Sequence, residues 1–143
     1  MQRTPRLTTG VLTLSLLTSL SVFAVPPGAL PPEQTQGAVT YVSGGIGQDA
    51  ARAFAAAAKQ YPLTLEFAIK HMPHAEFIAA VPVQITDARG HTVLETQSNG
   101  PFLLAKLAAG YYTVTAEHQG QRLAQTVHLS SAKPAHLLFL WSE

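Results

Sequence analysis

Tyr111-Tyr-Thr-Val-Thr-Ala-Glu-His-Gln-Gly-Gln-Arg-Leu-Ala-Gln-Thr-Val127 is the stretch whose reading decides the fold. Gln119-Gly120 lies between two runs that alternate apolar with polar residues, the pattern of a β-hairpin. With these two residues as the loop, Ala116 faces Leu123, Tyr112 faces Val127 and Glu117 faces Arg122. Apolar side chains then meet on one face, and an opposite-charge pair lies on the other. A slip of one residue would turn Leu123 and Val127 outward, so an even loop is expected.

The same period of two extends outward in both directions. Leu63, Leu65, Phe67 and Ile69 alternate with Thr64, Glu66, Ala68 and Lys70. Phe77, Ala79, Val81, Val83 and Ile85 predict a second strand, and His91–Gln97 a third. Phe102-Leu-Leu-Ala105 is short and apolar on both faces. The final strand, Ala135–Trp141, places Leu137, Phe139 and Trp141 on one face and Leu138 and Leu140 on the other. Asp87-Ala-Arg-Gly90, Ser98-Asn-Gly-Pro101 and Ala108-Ala-Gly110 are turns. About seven short strands at regular spacing predict a mainly β protein. Its expected core is a single antiparallel β-sandwich of the Ig-like kind over residues 63–143.

Residues 38–62 read differently. Ala38-Val-Thr-Tyr-Val42 is a short strand, Ser43-Gly-Gly-Ile-Gly47 a breaker run, and about Ala50–Gln60 one short helix capped by Gln48 or Asp49. Ala51, Phe54, Ala57, Ala58 and Tyr61 share a helical face, and Pro62 stops the helix. The doubly apolar last strand needs cover on its second face. Either the alanine-rich side of this helix or a second subunit supplies it, the latter making a homodimer.

The N-terminus reads as an address. Arg3 and Arg6 precede Leu7–Ala24, which holds no charged residue and closes on Val22-Phe-Ala24. Residues 1–24 are therefore expected to be a signal peptide, with a periplasmic or secreted product and no membrane span after cleavage. An uncleaved anchor is the competing reading. Residues 25–37 hold four of the ten prolines and predict an extended linker. With Arg3 and Arg6 gone, seven basic residues face eight acidic ones, so no nucleic-acid partner is expected. The absence of cysteine excludes a disulfide framework, a thiolate zinc site and a cysteine nucleophile.

Val81-Pro-Val-Gln-Ile-Thr-Asp-Ala-Arg-Gly90, Asn99-Gly-Pro-Phe-Leu-Leu104, Leu107-Ala-Ala-Gly-Tyr-Tyr-Thr-Val114 and Gln119-Gly120 resemble the carboxypeptidase regulatory-like domain. That domain is a transthyretin-like (prealbumin-like) sandwich, and the resemblance covers about residues 63–141. Its most specific element is Leu-x-x-Gly-x-Tyr-x-Val; here Ala109 stands where the usual element has proline. Tyr41-Val-Ser-Gly-Gly-Ile-Gly-Gln-Asp49 looks like the start of small secreted proteobacterial proteins of undefined function. The resemblance implies a fold and an address, and no activity.

Several chemistries compete with a purely structural reading. The 5-hydroxyisourate hydrolases share the sandwich but end in a Tyr-Arg-Gly-Ser type tail, whereas this chain ends Leu138-Phe-Leu-Trp-Ser-Glu143. His71-Met-Pro-His74-Ala-Glu76 gathers two imidazoles and a carboxylate, a candidate metal loop, although Pro73 denies it helical spacing. Gly44, Gly45 and Gly47 could offer backbone N–H groups to an anion or a partner, or simply form a tight turn. A small hydrolase would need a nucleophile elbow, and none is present. Tyr111 is out of phase with Tyr112 and points outward, where it could stack on a sugar or touch a partner. The reading that these observations favour is an exported, non-catalytic binding or envelope-accessory module without cofactor. Its partner would be an envelope protein or a glycan; a periplasmic metal-binding protein is the alternative.

Overall fold

The computed structural model describes residues 28–142, so the expected signal peptide and the start of the linker lie outside the described residues. Alternating side chains build two facing sheets. The strands are β1 (Gln34–Gln36), β2 (Val39–Gly44), β3 (Leu63–His71), β4 (His74–Phe77), β5 (Pro82–Asp87), β6 (Thr92–Gln97), β7 (Phe102–Lys106), β8 (Gly110–His118), β9 (Gln121–Leu129) and β10 (Ala135–Ser142). The first sheet runs β1-β2-β7-β3-β10, with β4 continuing the β7 side of β3, and the second runs β6-β5-β8-β9. Leu65, Phe67, Leu103, Phe139 and Trp141 meet Val83, Ile85, Leu94 and Val114 in the space between. Removing each such side chain from water contributes roughly 1.5–3 kcal/mol.

The β8–β9 hairpin adopts the expected register, with Ala116 opposite Leu123, Tyr112 opposite Val127 and Glu117 opposite Arg122. The hydroxyl of Tyr112 donates to the carbonyl of Ala108 at 2.8 Å. This ties the start of β8 to the turn before it, which gives the tyrosine of the Leu-x-x-Gly-x-Tyr-x-Val element a mechanical role.

Several expectations are corrected. There are ten strands among the described residues rather than seven, and the first sheet is mixed: β10 runs parallel to β3, from Ala135 beside Leu63 to Ser142 beside Lys70. Side-chain alternation is the same in either direction, so periodicity carries no information about strand polarity. The strand expected from Phe77 to Ile85 is broken. β4 folds back on β3, Ala80 takes a φ of 58°, and Val81 N–H donates to Ser98 Oγ before β5 begins. Phe77, assigned by alternation to the core, is 55% exposed.

The linker also ends earlier than its composition suggested. Gln34–Gln36 pairs with β2, and the Gln36 amide bonds both the N–H and the carbonyl of Glu95 across the sandwich edge. At the opposite edge, Gln125 Nε2 donates to the Leu138 carbonyl and Trp141 Nε1 to the Gln121 carbonyl. Side chains thus lace both margins of the two sheets.

The helix α1 spans Gln48–Ala57 and tightens into a 3₁₀ turn over Ala58–Gln60. Its N-cap is Gly47, not Gln48 or Asp49, and no side chain caps it. Phe54 and Tyr61 are buried against Val42 and Leu104, as their shared face predicted. The cover therefore falls on β2 and β7 rather than on the last strand. Leu138 and Leu140 of β10 remain 47% and 40% exposed. Glycine permits this docking: a Cβ on Gly44 would lie 3.1 Å from the Phe54 ring and one on Gly45 2.5 Å from the Phe102 ring, while one on Gly100 would lie 2.3 Å from the Gly44 carbonyl oxygen, where β2 meets the turn before β7.

Candidate functional site

α1 occupies only the β2–β7 half of the outer face of the first sheet. Beside it runs a trough of 470 Å³, a size typical of ligand sites. Phe54, Ala55 and Ala58 form the helical flank, Thr64, Glu66 and Phe102 the floor, and Pro134, Ala135 and His136 the far wall. The parallel register of β3 and β10 sets His136 beside Thr64 and Leu138 beside Glu66, all on the outward face.

His136 Nε2 lies 2.8 Å from Glu66 Oε2, with side-chain exposures of 57% and 20%. Lys59 stands at the rim. Thr64 is buried beside this pair, so the trough carries an acid–imidazole pair at its far wall and a hydroxyl in its floor. Such an arrangement can seat an apolar body and bond a polar head.

A second hollow of 520 Å³ opens near the helix N-terminus, lined by Ile46, Ala51, Phe77 and Ile78. The Phe102 ring touches the walls of both, 6.0 Å from Phe54 and 5.9 Å from Phe77. Leu140, Ala68 and Phe77 continue the apolar surface as neighbours across β10, β3 and β4.

The residues singled out from the sequence are distributed elsewhere. His71 and His74 face each other across the β3–β4 turn, with Glu76 on the same strand face. His71 Nε2 and Glu76 Oε2 are 3.9 Å apart and both side chains are exposed. Among the described residues, no group of three or more His, Cys, Asp or Glu side chains is gathered closely enough to hold a metal ion. Gly44 and Gly45 are packed against Phe54 and Phe102, and the Gly47 carbonyl accepts the first helical bond from Ala51. Tyr111 is 60% exposed and stacks on His128 with ring centroids 4.3 Å apart. Asp87 Oδ1 accepts from the N–H groups of His91 and Arg89, and the His91 bond foremost holds its carboxyl below the usual value.

Two constellations escaped the sequence reading. Glu66 and His136 are on strands far apart in the chain, and no local signal joins them. Glu33, read as part of the linker, accepts from Tyr61 Oη and from Lys106 Nζ. Burial foremost, with the neighbouring Glu33, pushes the Tyr61 hydroxyl up to about 12, while the bonds from Lys106 and Tyr61 lower Glu33. This knot pins the incoming chain to the base of α1.

No helix among the described residues is long and apolar enough to cross a membrane. In comparison with known proteins, no family model and no curated protein matches the chain.

Proposed function

We propose that the chain is an exported, non-catalytic β-sandwich module of carboxypeptidase regulatory-like type, working in the periplasm or outside the cell. It acts by binding, and the trough between α1 and β10 is where it binds. The observation that carries this reading is the 470 Å³ trough itself, apolar along its helical flank and furnished with the Glu66–His136 pair. An occupant needs an apolar body and a hydrogen-bonding head, which suits a segment of an envelope protein. The exposed Leu138 and Leu140 beside the trough also suit a second copy of the chain, the homodimer that the doubly apolar strand suggested.

Filling the trough tests the proposal. Ala55 is exposed and lines it, so Ala55→Trp plugs the space without entering either core. The wild-type protein, used as bait in envelope extract, is expected to retain a partner or a second copy that Ala55→Trp loses. Identical retention by both proteins would refute the trough as the binding site.

A further inference from the structure

The outer face of the second sheet is uncovered, and its chemistry differs from that of the trough. Val83, Ile85, Val114 and Ala116 point into the core, so their strand neighbours point out. Thr86, Thr113 and Thr126 then stand in one rank across β5, β8 and β9. Gln84 and Thr115 form the next rank, and Gln84 Nε2 donates to Thr92 Oγ1 at 3.0 Å. At one end a shallow hollow of 270 Å³ gathers Gln84, Glu95, Glu117 and Arg122. At the other end stands Tyr111, backed by His128. About 20 Å of strand separates Glu117 from Tyr111.

We infer that this face binds a glycan chain lacking strong negative charge. Carboxylates, an amide and a guanidinium in one hollow offer the paired donors and acceptors that bond neighbouring hydroxyls bidentately. Threonine hydroxyls both donate and accept, as a polyol requires. An aromatic ring at the far end can lie against the apolar face of a sugar. The charges select against other occupants. Glu95 and Glu117 outweigh Arg122, which disfavours a phosphate-rich polymer. Tyr111 is the one large apolar side chain offered by this face among the described residues, too few for the apolar centre of a protein interface. The site lies on the sheet opposite the trough, so the two readings stand or fall separately.

Native gels cast with dextran, laminarin, xylan or hydroxyethylcellulose test the inference on the whole protein, with a heparin gel as the polyanionic control. Retardation by at least one neutral polymer is expected. Tyr111→Ala should weaken it about three- to tenfold, the size of one aromatic contact. Glu117→Gln should weaken it about tenfold or more, through the loss of charge-assisted bonds. Ala56→Ser on the exposed side of α1 should leave it unchanged, and the Tyr111 and Glu117 variants should keep a single cooperative unfolding transition read by Trp141 fluorescence, its midpoint moved only slightly by the lost ring stack and cross-strand ion pair. No retardation in any neutral gel, retardation by heparin alone, or retardation indifferent to Tyr111 and Glu117 would overturn the inference.

Discussion

Replacing Phe54 by alanine separates two units that the fold joins weakly. Phe54 is 1% exposed, set among Val42, Tyr61 and Leu104, with its ring stacked on Phe102. Truncating a buried phenylalanine costs about 3–5 kcal/mol. The cluster it serves has four buried residues, against sixteen in the core between the sheets, and none is shared. The loss should therefore appear as undocking of α1 while the sandwich persists. Trp141 is the single tryptophan and lies in the large core, so its fluorescence reads the sandwich alone. Backbone amides of α1 report docking through hydrogen exchange. Their protection should fall by about two to four powers of ten, up to the limit set by the docking free energy itself. The Trp141 urea transition should lose no more than that docking free energy, because an undocked helix no longer senses residue 54. If helix exchange and the Trp141 transition shift by the same full amount, and α1 opens only in global unfolding, the two-unit reasoning is wrong.

Gly100→Ala would drive a methyl group into the Gly44 backbone; it should cost about 1–3 kcal/mol or more in urea-monitored stability, and an unchanged midpoint would show that the β2–β7 junction relaxes freely. The Tyr61 hydroxyl should ionise near pH 12 when followed by ultraviolet difference absorption. Because its folded value is raised above the ordinary one, the stability it contributes is complete below pH 10 and is lost as pH rises through about 12. Glu33→Gln should bring that ionisation down toward the ordinary tyrosine value; no movement would mean that burial alone sets it.

Most of the interior was legible because burial in a sheet has a period of two. Leu63, Leu65, Phe67, Val83, Val114, Phe139 and Trp141 all lie on the buried face that alternation assigned them. The hairpin register was legible too, since one slipped residue inverts the whole face. Phe77 misled because a strand break at Ala80 leaves its apolar character unchanged while freeing it from the phase of β5. Tyr111 was placed outward correctly from phase alone. Glu66–His136 and Glu33–Tyr61–Lys106 were illegible, because each depends on which strands or segments become neighbours.

Local chemistry by itself determined which residues of the long strands turn inward, where along the chain α1 lies and where the main turns fall: steric limits and the cost of exposing apolar surface act over a few residues. The tertiary structure alone decided that β10 runs parallel to β3, that α1 covers β2 and β7, and that a trough remains beside them. Strand order and direction depend on long-range packing and backbone pairing, in which every residue's main chain is chemically alike, so no short stretch of side chains encodes them.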